Sequence, residues 1–489
     1  MTASPVIVGV GAAYFAICAA IAIWAARRTR TAGDFFVAGR GIGIWTLSIA
    51  AMASTLSGFA FVGGPGLVYA RGIGAVYIVL TAGITGSLTA WVLAGRLRRL
   101  AELRGIYTVA EAAGARYRSP AVRRLAAVAI LVATVGYTAT NLLALGLIVD
   151  AIFGIGRMPA LWLGALVVVG YSVAGGMLAG VYTDLFQGAL MAIASTAVFV
   201  AVLASGGGVA GISRDILASD PGWFGPWGHF TPLAALSFFF VFGLGTLGQP
   251  HVLHKFFMLR DPRRLQWYPL LMTGSLVITL LLFVGVGMAV KARVAAGDLA
   301  PLGHPDEATP TFLLRYTPAL LAGVVFSGVA AAIMSTVNAF LNLAAASITR
   351  DLRIRPMEDA RELRIGRLAT LGVALLAVLL ASRSEALVAL LGVFGWGLFA
   401  STLVPALAFG LIWPGATRAG ALASIATGLG LTLVLASLVW FRIASLPAGV
   451  SAAGIAIVAS LLVFFAVSWL TRARAAEELD SDVRLVMEG

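Results

Sequence analysis

The sequence predicts an all-helical membrane protein, and its composition and its long apolar segments are the observations that predict it. Of the 489 residues, 60% are hydrophobic and only 11% are charged, whereas a soluble domain carries roughly 25% charged residues. The mean hydropathy is +0.98. Because a backbone in contact with lipid must satisfy its own hydrogen bonds, we expect the segments that cross the membrane to be helices.

Thirteen apolar segments approach or exceed the roughly 20 residues that a spanning helix needs. Numbered as spans 1 to 13 in chain order, they cover residues 5–26, 42–70, 75–98, 124–152, 159–181, 184–205, 232–258, 269–291, 313–349, 366–382, 385–413, 418–440 and 447–471. The loops between them are too short to fold alone. We therefore expect one transmembrane domain over residues 1–474, followed by a cytoplasmic tail over residues 475–489.

The distribution of basic residues predicts the orientation in a bacterial-type inner membrane. With the N-terminus outside and the C-terminus in the cytoplasm, 26 of the 34 lysines and arginines lie on the cytoplasmic side, Lys255 among them. This accounts for the net charge of +13 without a nucleic-acid partner, because no soluble face is present to hold the charge. The one cysteine, Cys18, excludes a disulfide framework.

Spans 2, 7 and 9 are long and interrupted. Span 2 has Ser57-Gly58 at its centre, and span 7 combines three glycines with Pro250 in a short stretch. Such residues destabilise a continuous helix. One glycine alone commonly serves close helix packing. Paired interruptions in corresponding halves point instead to a transporter binding site, with spans 2–6 and 7–11 as inverted repeats.

A sodium site can be predicted where spans 2 and 9 meet. Ala332, Ser335 and Thr336 share one face of a helix, and Ala53 and Leu56 immediately precede the break in span 2. Unwinding there would free the carbonyls of Ala53 and Leu56, so that three carbonyl and two hydroxyl oxygens surround one hard cation. In the alternative interpretation, the two hydroxyls bond back to carbonyls one turn earlier.

These motifs resemble the sodium:solute symporters, the group of the proline permease and the sodium/glucose cotransporters. The resemblance covers nearly the whole chain and rests on Asp34, Gly39-Arg40, Ser54 to Tyr69, Gly175-Gly176, Thr183-Asp184, Gln187, Gly248-Gln249-Pro250-His251, Ala332, Ser335-Thr336, Asp351, Trp413 and Gly420-Ala421. It implies a LeuT-type fold with spans 1, 12 and 13 as accessory helices. It also implies the same five sodium ligands, with the co-transported solute between spans 2, 4, 7 and 11.

The solute site that we expect consists of Ser57, Gly58, Tyr137, Phe242, Thr246, Phe394 and Trp396. Compared with the proline permease, Thr55 replaces an aspartate, Phe242 a tryptophan and Thr246 a tyrosine. These departures leave the solute open between an amino acid and a monocarboxylate, whose carboxylate a broken-helix N-terminus would hold. Asn338 and Ala339 stand where some members hold a second sodium with serines, which favours one sodium per cycle.

Asp184 begins the predicted span 6 and is placed by the resemblance on the ion exit path. Such a carboxylate is usually functional, although aspartate also favours the helix N-cap. A proton-coupled transporter using Asp184 or His251, and a transporter-like membrane sensor, remain as alternatives. No nucleophile–base pair points to an enzyme. The expected partners are the solute, sodium and lipid, and we expect a monomer to suffice for transport.

Overall fold

A computed structural model describes residues 4–29, 31–38, 41–353, 357–384, 388–475 and 479–488. Over these residues the chain is helical, and its extended pairing is confined to an isolated bridge between Ile42 and Leu259. The predicted all-α class is confirmed. Gly39-Arg40, part of the sequence resemblance, lies outside the described residues.

Each of the thirteen predicted segments contains helix. The principal helices are Pro5–Arg28 in span 1, Ile44–Thr55 and Gly64–Arg71 in span 2, Val76–Thr89 and Gly95–Arg104 in span 3, Pro120–Phe153 in span 4, Arg157–Ser205 through spans 5 and 6, Pro232–Gly245 and Pro250–Phe256 in span 7, Tyr268–Ala295 in span 8, Ala319–Ala346 in span 9, Asp359–Ser382 in span 10, Val388–Leu403 in span 11, Arg418–Trp440 in span 12 and Ala452–Leu470 in span 13.

Nine helices of the described part are long and apolar enough to cross a membrane, and the two halves of span 2 make a tenth if they count as one. The helix of span 5, Arg157–Val173, is shorter than this requirement. Span 3 is divided by a π-helical turn at Ala90–Ala94. The number of thirteen spans therefore stays a prediction.

The structure confirms the interruptions of spans 2, 7 and 9. The two halves of span 2 are bent by 57°, and Leu56 between them is extended with ψ 93°. Span 7 passes through a 3-10 turn at Thr246–Gly248 before an extended Gln249. Span 9 is interrupted at Thr317-Pro318, where an extended Thr317 separates the helices Ala308–Tyr316 and Ala319–Ala346. The second of these helices runs without a break past the two predicted sodium hydroxyls.

Spans 5 and 6 join at Gly176, earlier in the chain than the expected junction between residues 181 and 184. Gly176 has φ 55° and ψ −143°, and a Cβ there would lie 2.4 Å from the ring of Phe35. Only glycine fits both restrictions. Asp184 consequently lies well inside the helix Ala179–Ser205, so the alternative role as a helix N-cap is wrong.

Span 9 forms the centre of the protein, with every residue from Val325 to Ala346 buried. It packs against spans 1, 4, 5 and 6 and the first half of span 2. At the chain end, the helix Ser481–Glu488 buries Val483 and Val486 and packs against the inner end of span 3. The tail is thus ordered there, and the proposed domain boundary at residue 474 stays a prediction.

Candidate functional site

The break in span 2 frees the two carbonyls that the sequence singled out. No hydrogen-bond donor among the described residues reaches the carbonyl of Ala53 or of Leu56. Both residues are buried. The helix ends before these carbonyls can accept bonds from the next turn, so they are available to another ligand.

Span 9 places two hydroxyls at this break, and they differ in their hydrogen bonding. The Thr336 hydroxyl lies 3.0 Å from the carbonyl oxygens of both Ala332 and Ser54, and so joins spans 9 and 2. The buried Ser335 hydroxyl has no hydrogen-bond partner in the described part of the chain. Back-bonding to the preceding turn therefore holds for Thr336 and not for Ser335.

A buried ion pair lies beside the Ser335 hydroxyl. The Lys255 ammonium, on the second half of span 7, is 2.8 Å from the Asp184 carboxylate, and the two side chains are 1% and 2% exposed. The Ser335 hydroxyl faces the same carboxylate without a hydrogen bond of normal geometry. Lys255 is thus not the cytoplasmic surface anchor that the orientation argument assumed, because its charge is neutralised within the protein.

Span 4 supplies the polar groups opposite the break in span 2. The hydroxyls of Ser57 and Tyr137 are 3.3 Å apart, and the Gly58 N–H donates to the side-chain oxygen of Asn141 at 2.9 Å. The sequence argument missed Asn141, although an amide in the middle of an apolar span is a signal of a buried polar role. A Cβ on Gly58 would lie 2.6 Å from that of Ala144, so glycine permits this close approach.

Three aromatic rings form a stack between spans 2, 7 and 11. Phe59 stacks on Phe242 with ring centroids 5.4 Å apart, and Phe242 stacks on Trp396 at 5.2 Å. Of the other predicted solute residues, Phe394 lies against Gly136 of span 4. Thr246 turns away toward span 3, where the Thr85 hydroxyl donates to it at 3.3 Å.

Gln249 and His251, at the break in span 7, were not predicted as solute residues. The Gln249 amide donates to the carbonyls of Gly245 and Trp396, which fixes span 7 against span 11. His251 packs against Phe340 with ring centroids 4.8 Å apart. Both lie in the Gly248-Gln249-Pro250-His251 motif of span 7, and this position could have identified them as candidate site residues.

The start of span 2 and the end of span 7 are joined through their main chains. The Ile42 N–H donates to the Met258 carbonyl at 3.2 Å, and the Arg260 N–H donates to the Ile42 carbonyl at 2.9 Å. The Arg98 guanidinium adds a bond of 2.8 Å to the Leu259 carbonyl. These contacts close the candidate site at the end where the start of span 2 meets the end of span 7.

At the opposite end, the segment before span 9 covers span 2 and the start of span 11. The Thr309 hydroxyl donates to the Phe61 carbonyl at 2.7 Å, and the Asp306 carboxylate accepts from the Val388 N–H at 2.8 Å. Ser57, Tyr137 and Trp396 are each at most 3% exposed. The arrangement is therefore closed at both ends.

Comparison with solved structures supports the same architecture. A sodium-coupled sialic acid symporter in a substrate-bound, outward-open state matches with a TM-score of 0.78 and 18% identity, over 96% of this chain and 98% of that chain. A nucleobase-cation-symport-1 family transporter in a closed conformation matches with a TM-score of 0.54 and 12% identity, over 93% and 98%. At these identities the likeness shows the LeuT-type fold alone.

Sequence comparison covers most of the chain. The osmoregulated proline transporter OpuE of Bacillus subtilis is 29% identical over 436 residues, which are 86% of this chain and 87% of that protein. A sodium/proline symporter of Haemophilus influenzae is 30% identical over 452 residues, which are 88% and 89%. The model of the sodium:solute symporter family matches residues 35–428. The chain therefore belongs to the sodium:solute symporter family.

Proposed function

We propose that this protein is a sodium-coupled symporter that imports a small carboxylate-bearing solute, an amino acid in preference to a monocarboxylate. The observation that carries the proposal is the oxygen-lined contact between spans 2 and 9. Two buried carbonyls and one buried hydroxyl, all without a hydrogen-bond partner among the described residues, lie there beside the Thr336 contact to span 2. A sodium ion needs such oxygen ligands.

In the proposed cycle, sodium binds to the carbonyls of Ala53, Leu56 and Ala332 and to the hydroxyls of Ser335 and Thr336. Sodium binding holds spans 2 and 9 together while the solute enters from outside. Sodium then leaves to the cytoplasm past Asp184. An inside-negative potential drives the cation inward with about 2.3 kcal/mol per charge per 100 mV. We propose the N-terminus outside, the C-terminus in the cytoplasm and a monomer as the transporting unit.

The curated relatives support the choice of an amino acid as solute, since both are named as proline transporters. The aromatic stack of Phe59, Phe242 and Trp396 offers an apolar surface for a side chain or ring. Thr246, which stands where the proline permease has a tyrosine, lies on the side of span 7 that faces span 3. The proposal therefore extends to small amino and imino acids as a class.

The sodium site can be tested with the double variant Ser335→Ala/Thr336→Ala in proteoliposomes. We expect sodium-dependent uptake of L-proline, or of whichever small amino acid the wild type accepts best, to be lost while the protein still inserts. Ser327→Ala is the matched control, because this buried hydroxyl of the same helix bonds to the Gly323 carbonyl away from the site. Unchanged sodium dependence in the double variant would contradict the site, and uptake driven by a pH gradient without sodium would contradict sodium coupling.

A further inference from the structure

The break in span 7 gathers polar side-chain atoms that have no hydrogen-bond partner among the described residues. They are the side-chain oxygen of Gln249, both ring nitrogens of His251 and the indole nitrogen of Trp396. The three residues are at most 3% exposed. Since buried polar groups are nearly always hydrogen-bonded in native proteins, several unpaired ones in one place indicate that a ligand pairs with them during the cycle.

These residues are also neighbours in space. The Gln249 amide nitrogen lies 3.2 Å from the Trp396 carbonyl, and the ring centroids of His251 and Trp396 are 6.3 Å apart. The Trp396 indole nitrogen lies against the backbone of Gly245, where an added Cβ would come within 2.6 Å of it. The packing around the break thus depends on a glycine at this position.

We infer that Gln249, His251 and Trp396 bind the polar head of the solute, and that the solute is an α-amino or imino acid. This inference rests on the proposed function and names its solute class. The indole N–H and one imidazole N–H are donors suited to a carboxylate, while the Gln249 oxygen is an acceptor suited to an ammonium or iminium group. A monocarboxylate leaves the Gln249 acceptor unpaired, and this disfavours its binding.

The apolar part of such a solute lies on the aromatic stack, whose last ring is Trp396. This arrangement of a large apolar wall with a few convergent polar groups is typical of small-molecule sites. The other break does not compete for the carboxylate, because the Gly58 N–H already donates to Asn141 and the Phe59 N–H to the Ser57 hydroxyl.

The inference is tested by thermal shift on the purified full chain in detergent with sodium, using three probes. L-Proline carries both polar groups, cyclopentanecarboxylate lacks the nitrogen, and L-prolinamide lacks the carboxylate. For the wild type we expect L-proline to bind at least about tenfold more tightly than either analogue, as the loss of one charge-assisted hydrogen bond implies. Equal binding of L-proline and cyclopentanecarboxylate would overturn the assignment of the Gln249 acceptor.

The variants His251→Phe and Trp396→Phe keep an aromatic ring in place and remove a donor. Each is expected to weaken the binding of L-proline and cyclopentanecarboxylate about tenfold and to leave L-prolinamide unchanged. His254→Phe is the matched control, since this buried histidine of the same half-helix also has two ring nitrogens without a partner among the described residues but packs on Phe257, away from Trp396. Two variants are used so that a folding defect in one, visible as a lower melting temperature without ligand, does not decide the test.

The outcomes distinguish a failure of this inference from a failure of the proposed function. If L-proline or another small amino acid stabilises the wild type only with sodium, but His251→Phe and Trp396→Phe bind it as tightly as the wild type, this inference is wrong and the proposed function stands. If sodium-dependent stabilisation is absent for amino acids and monocarboxylates and present for sugars, the proposed solute class falls, and the inference with it.

Discussion

The two broken spans differ in which of their polar groups remain unpaired. At the break in span 2, the first N–H groups of the second half are satisfied by Asn141 and Ser57, while the carbonyls of Ala53 and Leu56 have no donor in the described part of the chain. At the break in span 7, the side chains of Gln249, His251 and Trp396 carry atoms without a partner among the described residues, as does His254 one turn further on.

This difference suggests a division of labour between the two inverted repeats. A set of oxygens without donors suits a cation, whereas donors and acceptors together suit a solute that carries both kinds of group. Two interruptions of similar appearance in the sequence therefore have different chemistry, and the neighbouring spans produce the difference. Asn141 of span 4 accepts the Gly58 N–H at one break, and the Trp396 carbonyl of span 11 accepts the Gln249 amide at the other.

The largest effect on the two broken spans is expected at Lys255, whose ion pair with Asp184 joins the second half of span 7 to span 6. Lys255→Met leaves the Asp184 carboxylate buried without its cation. We expect a loss of about 3–5 kcal/mol in the free energy of unfolding, measured by denaturation in detergent. The double variant Asp184→Asn/Lys255→Met should recover most of this loss.

Arg104→Gln serves as the control for that experiment, because it removes partly exposed ion pairs to Asp480 and Asp482. Such a pair contributes about 1 kcal/mol or less. A loss in Lys255→Met no larger than in Arg104→Gln would show that the buried pair does not hold span 7 in place.

A smaller effect is expected at Asn141, and it tests whether the Gly58 N–H is satisfied by span 4 at the break in span 2. Asn141→Ala leaves the buried Gly58 N–H without its acceptor, which should lower the free energy of unfolding by about 1–3 kcal/mol. Asn342→Ala is a close control, because the Asn342 amide also donates to a carbonyl of its own helix while its oxygen has no partner. Equal losses in both variants would mean that the contact to Gly58 contributes nothing.

The smallest effect concerns the segment between spans 6 and 7, which bonds to the end of span 2 through the His229 N–H and the Arg71 carbonyl. The Lys291 ammonium and then His229 hold the pKa of Asp220 below its ordinary value. A lowered folded pKa contributes stability above the unfolded pKa of about 3.9, and this contribution is lost as the pH falls through the folded pKa. Asp220→Asn should therefore cost about 0.5 kcal/mol at pH 7 and nothing near pH 2.

Melting temperatures between pH 2 and pH 7 check this prediction. Asp215→Asn is the control, since Asp215 makes no ion pair in the described ranges. A difference between Asp220→Asn and the wild type that stays constant down to pH 2 would contradict the assigned cause.

The sequence was most informative where backbone chemistry decides the structure. Ser57-Gly58 predicted the bend in span 2, and Thr336 of span 9 contacts the carbonyl of Ser54 beside it. The partner of Asp184 was not predictable, because a buried lysine far along the chain looks the same in sequence as a lysine at the membrane surface. The expectation that a broken-helix N-terminus holds the carboxylate of the solute did not anticipate that Asn141, on another helix, accepts the Gly58 N–H.

The main-chain bridge between Ile42 and Leu259 has a consequence for how this closed end of the protein tolerates mutation. Its bonds use the N–H and carbonyl groups that nearly all residue types share. Other side chains at these positions therefore leave the main-chain bonds in place, whereas proline at Ile42 or at Arg260 removes a donor. Closure at this end of the protein thus depends on the path of the backbone more than on the residue types that line it.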